Sequence, residues 1–299
     1  MSFFENRKRR WGDRKDGHWV KDVPGLNILM SHLYPKRTDC EVCLRKELDI
    51  TDLMKYIDKR NESNPSDSKL KLFHCIITMM VRIINQRPYL NRFVRTGRIY
   101  ERDFISVSFV AKRMFNDQAE EALVTYTARA DDNVDNVKAF VLGEVKEVRK
   151  TEKPNKKGID DTVNNFAKLP RLLLMPIVTF VRWLDRWGWV PKGLTHGDPA
   201  FSTLLLSNLG SIKCPSVYHH LNNYGTNSIM MTIGTIAKKM VKVGDMEEER
   251  TVVDIAVTAD ERIADGFYFA KSIKILDYLC KNPHLLEVSF SEDVDYTID

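Results

Sequence analysis

A chain of 299 residues with 43% apolar and 29% charged side chains has the composition of a soluble globular protein with ample length for a buried core. Its five scattered cysteines exclude a disulfide scaffold and fit reduced thiols, hence a cytoplasmic setting, and Met1 is followed by charge rather than by the apolar stretch of a secretory leader. Much of the net charge of +5 sits in the opening run "ENRKRRWGDRKDGHW", but no nucleic-acid motif or aromatic-basic repeat follows, so residues 1–22 read as a solvated basic arm and nucleic acid is not an expected partner.

"TDCEVC" spaces Cys40 and Cys43 as C-x-x-C with no second pair to complete a zinc site, which favours simple burial in a strand. "DITDLMKYIDKRNES" predicts a helix capped by Asp49 or Thr51. In "KLKLFHCIITMMVRIINQRP" the spacing of Phe73, Ile76, Ile77, Met80 and Ile84 predicts a core helix ended by Pro88, with His74 as a hydrogen-bonded polar group inside it. A hairpin turning at Thr96-Gly97 comes next, then a strand rich in Val, Ile and Phe, and a further strand in "EALVTYTAR".

Residues 131–150 read as a polar helix, "KTEKPNKKGIDD" as a break, and 160–188 as a pair of apolar helices. Within 169–191 the apolar run resembles a membrane span, but Arg182, Asp185, Arg186 and Pro176 interrupt it. A buried or interfacial helix is the better reading, and Trp183, Trp187 and Trp189 keep a peripheral membrane contact open. Three strands ("FSTLLLSNLG", "NSIMMTIGTI", "RTVVDIAVTAD") precede a last amphipathic helix, "FYFAKSIKILDYLC", and an acidic tail over 291–299 expected to fray. The irregular alternation of strands and helices predicts an α+β fold on one mixed sheet.

Four stretches then carry a resemblance. "RPYLNRFVRTGRIYERDFISVSFVAKR", "LLLSNLGSI", "NSIMMTIGTI" and "ADERIADG" resemble, in that order, the catalytic domain of the 2-oxo-acid dehydrogenase dihydrolipoyl acyltransferases and of their relatives, the chloramphenicol acetyltransferases. "LSNLG" is similar to the family's LSN-[IL]-G strand and turn, and "DERIADG" matches its DHRxxDG signature except at the histidine, where this chain has Glu261. The resemblance covers residues 40–283 and implies one chloramphenicol acetyltransferase-like domain over 23–290, with a helical insertion near 150–195. It also implies a homotrimer whose active site lies between subunits, and acyl transfer from coenzyme A to a thiol, hydroxyl or amine of a small acceptor. No lipoyl-bearing domain is expected on the chain, and no metal, since no histidine pair has helical ligand spacing with a nearby carboxylate.

By the same resemblance Ser207 would donate to the oxyanion and Glu261 would stand where the base belongs. Asp265 occupies the family's aspartate position, with a role that leans structural; Arg262 would anchor the turn and Gly266 would allow a tight approach to the last helix. His219 or His220, in "VYHHLNNYG", could supply an imidazole instead, with His196 a weaker alternative. The competing reading of Glu261 is a trimeric scaffold or acyl-CoA-binding protein that has lost the chemistry.

Overall fold

The computed structural model describes residues 7–112, 121–150, 168–191, 195, 197–243 and 246–296. The first member of the expected apolar helix pair, His196 and the last three residues lie outside these. Nine strands and six helices make up the described part. In chain order they are β1 (Gly17–Trp19), α1 (Gly25–Leu33), β2 (Glu41–Asp49), α2 (Thr51–Asn61), α3 (Leu72–Gln86), β3 (Arg92–Arg95), β4 (Arg98–Arg102), β5 (Ser106–Lys112), β6 (Glu121–Thr127), α4 (Val134–Lys150), α5 (Arg171–Trp187), β7 (Leu204–Asn208), β8 (Ile229–Val243), β9 (Met246–Asp260) and α6 (Gly266–Lys281).

Six strands form the main sheet in the order β2-β9-β8-β7-β5-β6. β7 runs parallel to both β5 and β8, and the remaining pairs are antiparallel. Side-chain alternation divides this sheet cleanly. Leu204 and Leu206 of β7, Ile229, Met231 and Ile233 of β8 and Val253 and Ile255 of β9 all point into the core. The other face carries Ser207 and Thr232, in register across β7 and β8, and Thr258 and Cys43, in register across β9 and β2.

Helices α2, α3, α4 and α6 cover the apolar face. α3 is central: every residue from His74 to Ile84 is buried, and Phe73 meets Phe109 of β5 edge to face at 5.3 Å. α2 has Ile50, not Asp49 or Thr51, at its N-cap, and Asp49 Oδ1, one residue before it, accepts from Thr51 N (3.0 Å) and Thr51 Oγ1 (2.6 Å). The hairpin turn is as predicted, with Thr96 at φ 50° and Gly97 at φ 72° between β3 and β4.

Two expectations about the termini need correction. The basic N-terminal segment is not a solvated arm from residue 7 onward. β1 pairs with β4 in a separate three-stranded sheet, and Arg14 is buried, its guanidinium 5.4 Å from the Phe93 ring centre. The acidic tail does not fray at 291: Ser291 N bonds Ala130 O at 2.9 Å, Gln86 Nε2 bonds Val294 O at 2.8 Å, and Tyr296 meets Tyr278 edge to face. Composition gave the wrong answer in both places because the partners, Asp185 for Arg14 and Ala130 O and the Gln86 side chain for the tail, are remote in sequence.

Candidate active site

β9 leaves the sheet at Asp260, which is fully buried and in register with Glu41 of β2. Its carboxylate accepts from Arg262 Nε at 2.8 Å and from Arg262 Nη2 at 2.6 Å, a two-pronged pair that closes the turn on itself. Arg262 Nη1 donates onward to Tyr34 O at 2.7 Å, and Arg37 approaches Asp260 from the other side at 3.6 Å. Burial alone would lower the Arg262 pKa, but the Asp260 carboxylate outweighs it and holds the guanidinium above its ordinary value. Arg37 has the weaker partner, and burial brings it down to about 10. Arg262 thus ties Asp260, at the end of β9, to Tyr34. Asp260 is the first residue of the "DERIADG" stretch, whereas Arg37 carries no sequence signal.

Glu261 follows on the exposed side. Its N–H bonds Cys40 O at 2.9 Å, while its carboxylate has no partner among the described residues. Asp265 is the N-cap of α6, its Oδ1 accepting from Tyr268 N at 2.7 Å. Gly266, the first residue of that helix, has open space where a side chain would begin and no left-handed backbone, so the helix start does not require a glycine.

Ser207 is the next-to-last residue of β7, partly exposed, with no hydrogen-bond partner for its hydroxyl among the described residues. The turn after it is built by the rest of "LSNLG". Asn208 caps the short 3₁₀ turn Leu209–Ile212 through Ser211 N, and Gly210 lies against β8 so closely that a Cβ there would stand 2.1 Å from Gly234 O. The chain then crosses the polar sheet face. Thr232, beside Ser207, donates its hydroxyl to Val217 O at 2.6 Å, and Ser216 donates to Asp254 on β9 at 2.5 Å. Leu221 N reaches Glu41 on β2 at 2.5 Å. His219 and His220 ride on this crossing, both exposed and stacked at 4.8 Å, with His219 Nδ1 near His220 O. No contact joins either ring to Ser207 or Glu261.

Ser207 and Glu261 are well separated within one chain. Ser207 is in register with Thr232 and through it with Ala256, two strands over and five residues short of Glu261. At about 3.3 Å per residue and about 4.8 Å between strands, they stand about 17 Å apart along the sheet and about 10 Å across it. A cavity of 710 Å³ opens elsewhere, lined by Ser106, Thr125, Asp198 and Phe201 among others, and none of Ser207, Glu261, Arg262, Asp265, Gly266, His219 and His220 lines it. Burial raises the Asp198 carboxyl against its bond from Ala200 N. Among the described residues no group of His, Cys, Asp and Glu could hold a metal. The expected burial of the C-x-x-C pair in a strand holds for neither residue in full: Cys40, just before β2, is buried with its thiol pushed up to about 11, chiefly by burial, and Cys43, in β2, is exposed, 4.0 Å from Thr258 Oγ1.

No family model and no curated protein matches the chain. Solved structures do. Dihydrolipoamide acetyltransferase of Azotobacter vinelandii, studied for the role of a serine, a histidine and an asparagine in its catalytic mechanism, superposes with a TM-score of 0.57 at 13% identity, over 90% of this chain and 94% of that one. A probable dihydrolipoamide acetyltransferase from Listeria monocytogenes gives 0.55 at 15%, over 88% and 95%. A truncated catalytic core of the 2-oxoacid dehydrogenase multienzyme complex from Thermoplasma acidophilum gives 0.54 at 14%, over 88% and 98%. The chain therefore has the α+β fold of the 2-oxo-acid dehydrogenase acyltransferase catalytic core, as the four sequence stretches imply.

Proposed function

We propose that the chain is a coenzyme A-dependent acyltransferase that works as a cyclic oligomer, a trimer by the resemblance, with Ser207 of one copy and Glu261 of the next facing one thioester. The observation that carries this is the pairing of two exposed, unpartnered polar side chains at the family's two functional positions, too far apart to meet within one chain. Glu261 would take the proton of the acceptor's thiol, hydroxyl or amine as it attacks the acyl carbon. Ser207 would donate to the oxyanion of the tetrahedral intermediate. Collapse breaks the carbon–sulfur bond, and the departing coenzyme A thiolate takes the proton back from Glu261.

An ordinary glutamate is about 2 pKa units less basic than histidine, a deficit of about 3 kcal/mol if fully expressed in the transition state. The test is release of free coenzyme A from a panel of acyl-CoAs and nucleophiles. Glu261→Gln is expected to lower turnover by ~10²-fold or more and Ser207→Ala by a similar factor. Thermal stabilisation by an acyl-CoA with no turnover toward any acceptor class would favour the binding-only alternative. Turnover unchanged in Glu261→Gln would remove that residue from the mechanism.

A further inference from the structure

α5 is the one long helix among the described residues that is not packed into the main core. Leu174, Ile177, Val181 and Leu184 form its half-buried underside, and Asp185 is its sole fully buried residue. At 100° per residue, Leu172, Leu173, Pro176, Phe180, Trp183 and Trp187 fall within an arc of about 100° that adjoins this underside, with Arg171, Arg182 and Arg186 on the far flank. These side chains are open to solvent: Leu172 is 88% exposed, Phe180 57% and Trp187 50%. Trp183 stacks on Phe180 at 6.0 Å and meets exposed Trp189 edge to face at 5.7 Å, so the arc ends in an aromatic ridge.

The charge around this ridge has one sign. Arg171, Arg182 and Arg186 are exposed, whereas the helix's lone carboxylate, Asp185, is turned inward to Arg95, Arg14 and Gly225 N. The same buried contact brings the basic N-terminal segment alongside. Arg14 Nη1 donates to Asp185 O at 2.8 Å and to Arg186 O at 3.3 Å. That segment exposes Lys8, Arg10 and Lys15, together with Trp11 at 84%.

We propose that α5 and the basic segment form a peripheral docking surface for an anionic phospholipid bilayer. Charge complementarity selects this occupant: every exposed charge on the helix is positive, and the apolar arc is rich in indoles, whose rings suit the acyl boundary while their N–H groups stay among headgroups. The helix, about 26 Å long, would lie in the membrane plane, and no helix of the described residues is long and apolar enough to cross. α1 also exposes leucines, Leu26, Leu29 and Leu33, but its sequence holds no Lys or Arg, and it is not part of the surface.

The full chain should co-float with vesicles of phosphatidylcholine and phosphatidylglycerol, with a blue shift of tryptophan emission. It should bind phosphatidylcholine alone far more weakly, and salt should weaken the anionic binding. Trp183→Ser combined with Trp187→Ser should lower vesicle affinity by about tenfold or more at an unchanged melting temperature. Arg182→Glu with Arg186→Glu, which leaves the apolar arc intact, should do the same. Failure of the wild-type chain to bind anionic vesicles overturns the proposal, as does binding that survives both double variants. So does an oligomer in light scattering that the tryptophan variant dissociates while vesicles go unbound, which would assign the face to contact between copies.

Discussion

At the scale of single residues, the signature turn divides its labour between side chains that hold and one that is free. Asp260 and Arg262 are nearly fully buried and joined by two hydrogen bonds, so removing Arg262 leaves the carboxylate in the interior with Arg37, at 3.6 Å, as its remaining cation. Arg262→Met is expected to cost about 3–5 kcal/mol, a fall in melting temperature on the order of 10 °C. Adding Asp260→Asn should recover part of that loss, because the orphaned carboxylate goes; a double variant less stable than Arg262→Met would show that the pair is not the anchor. His74 is a second buried group with a measurable consequence. Its Nδ1 accepts from Lys71 N at 3.2 Å, and burial, with Lys71 and Lys138 adding to it, pushes its pKa down to about 4. The folded state then holds His74 neutral while the unfolded chain takes up a proton below its ordinary value of about 6.5. Stability from this group is complete above that value and is lost as pH falls from about 6.5 to about 4, by up to about 3 kcal/mol. Urea melts across that interval should show the slope in the wild-type chain and a flatter one in His74→Gln.

At the scale of elements, "LSNLG" is as much a packing device as a carrier of Ser207. Gly210 is where the turn touches β8, and a methyl there would collide with the backbone at Gly234 rather than with a yielding side chain. Gly210→Ala should therefore destabilise the chain by about 1–3 kcal/mol and move the strand end that holds Ser207. Gly266→Ala, where the space is open, should be neutral or slightly stabilising by melting temperature. The contrast marks what the sequence could reveal. Periodicity and turn residues made α3, the Thr96-Gly97 hairpin and α6 legible, because local spacing fixes them. The motif located Ser207 at a strand end and Arg262 in the turn after β9, yet it could not tell that Asp265 is taken up as a helix cap or that Gly266 is dispensable for the turn. Nor could it show that Arg14, read as part of a solvated arm, is buried against a carbonyl 171 residues away. Such contacts depend on distant partners of ordinary composition, and no local pattern announces them.

At the scale of the whole molecule, the question is how two half-sites about 17 Å apart along one sheet could serve one reaction. Exposed apolar side chains stand beside each: Ile212 (54% exposed) in the turn after Ser207, and Phe267 (70%) one turn from Glu261. Contact between copies through these residues would cover both and bring Ser207 of one chain toward Glu261 of its neighbour. Phe267→Asp should then convert the oligomer to a folded monomer in light scattering and abolish turnover with it. A sharper test needs no variant at the contact. Ser207→Ala and Glu261→Gln chains are each expected to be nearly inactive alone. In a ring assembled at random from equal amounts of both, a site is intact when its serine comes from one variant and its glutamate from the other. That arrangement has a probability of about one quarter at every interface, whatever the number of copies in the ring. Co-expressed variants should accordingly regain about a quarter of wild-type turnover. A site completed within one chain would regain none, since every chain would still lack one of its two groups, so the mixing experiment separates a shared site from a self-contained one even before the acceptor is identified.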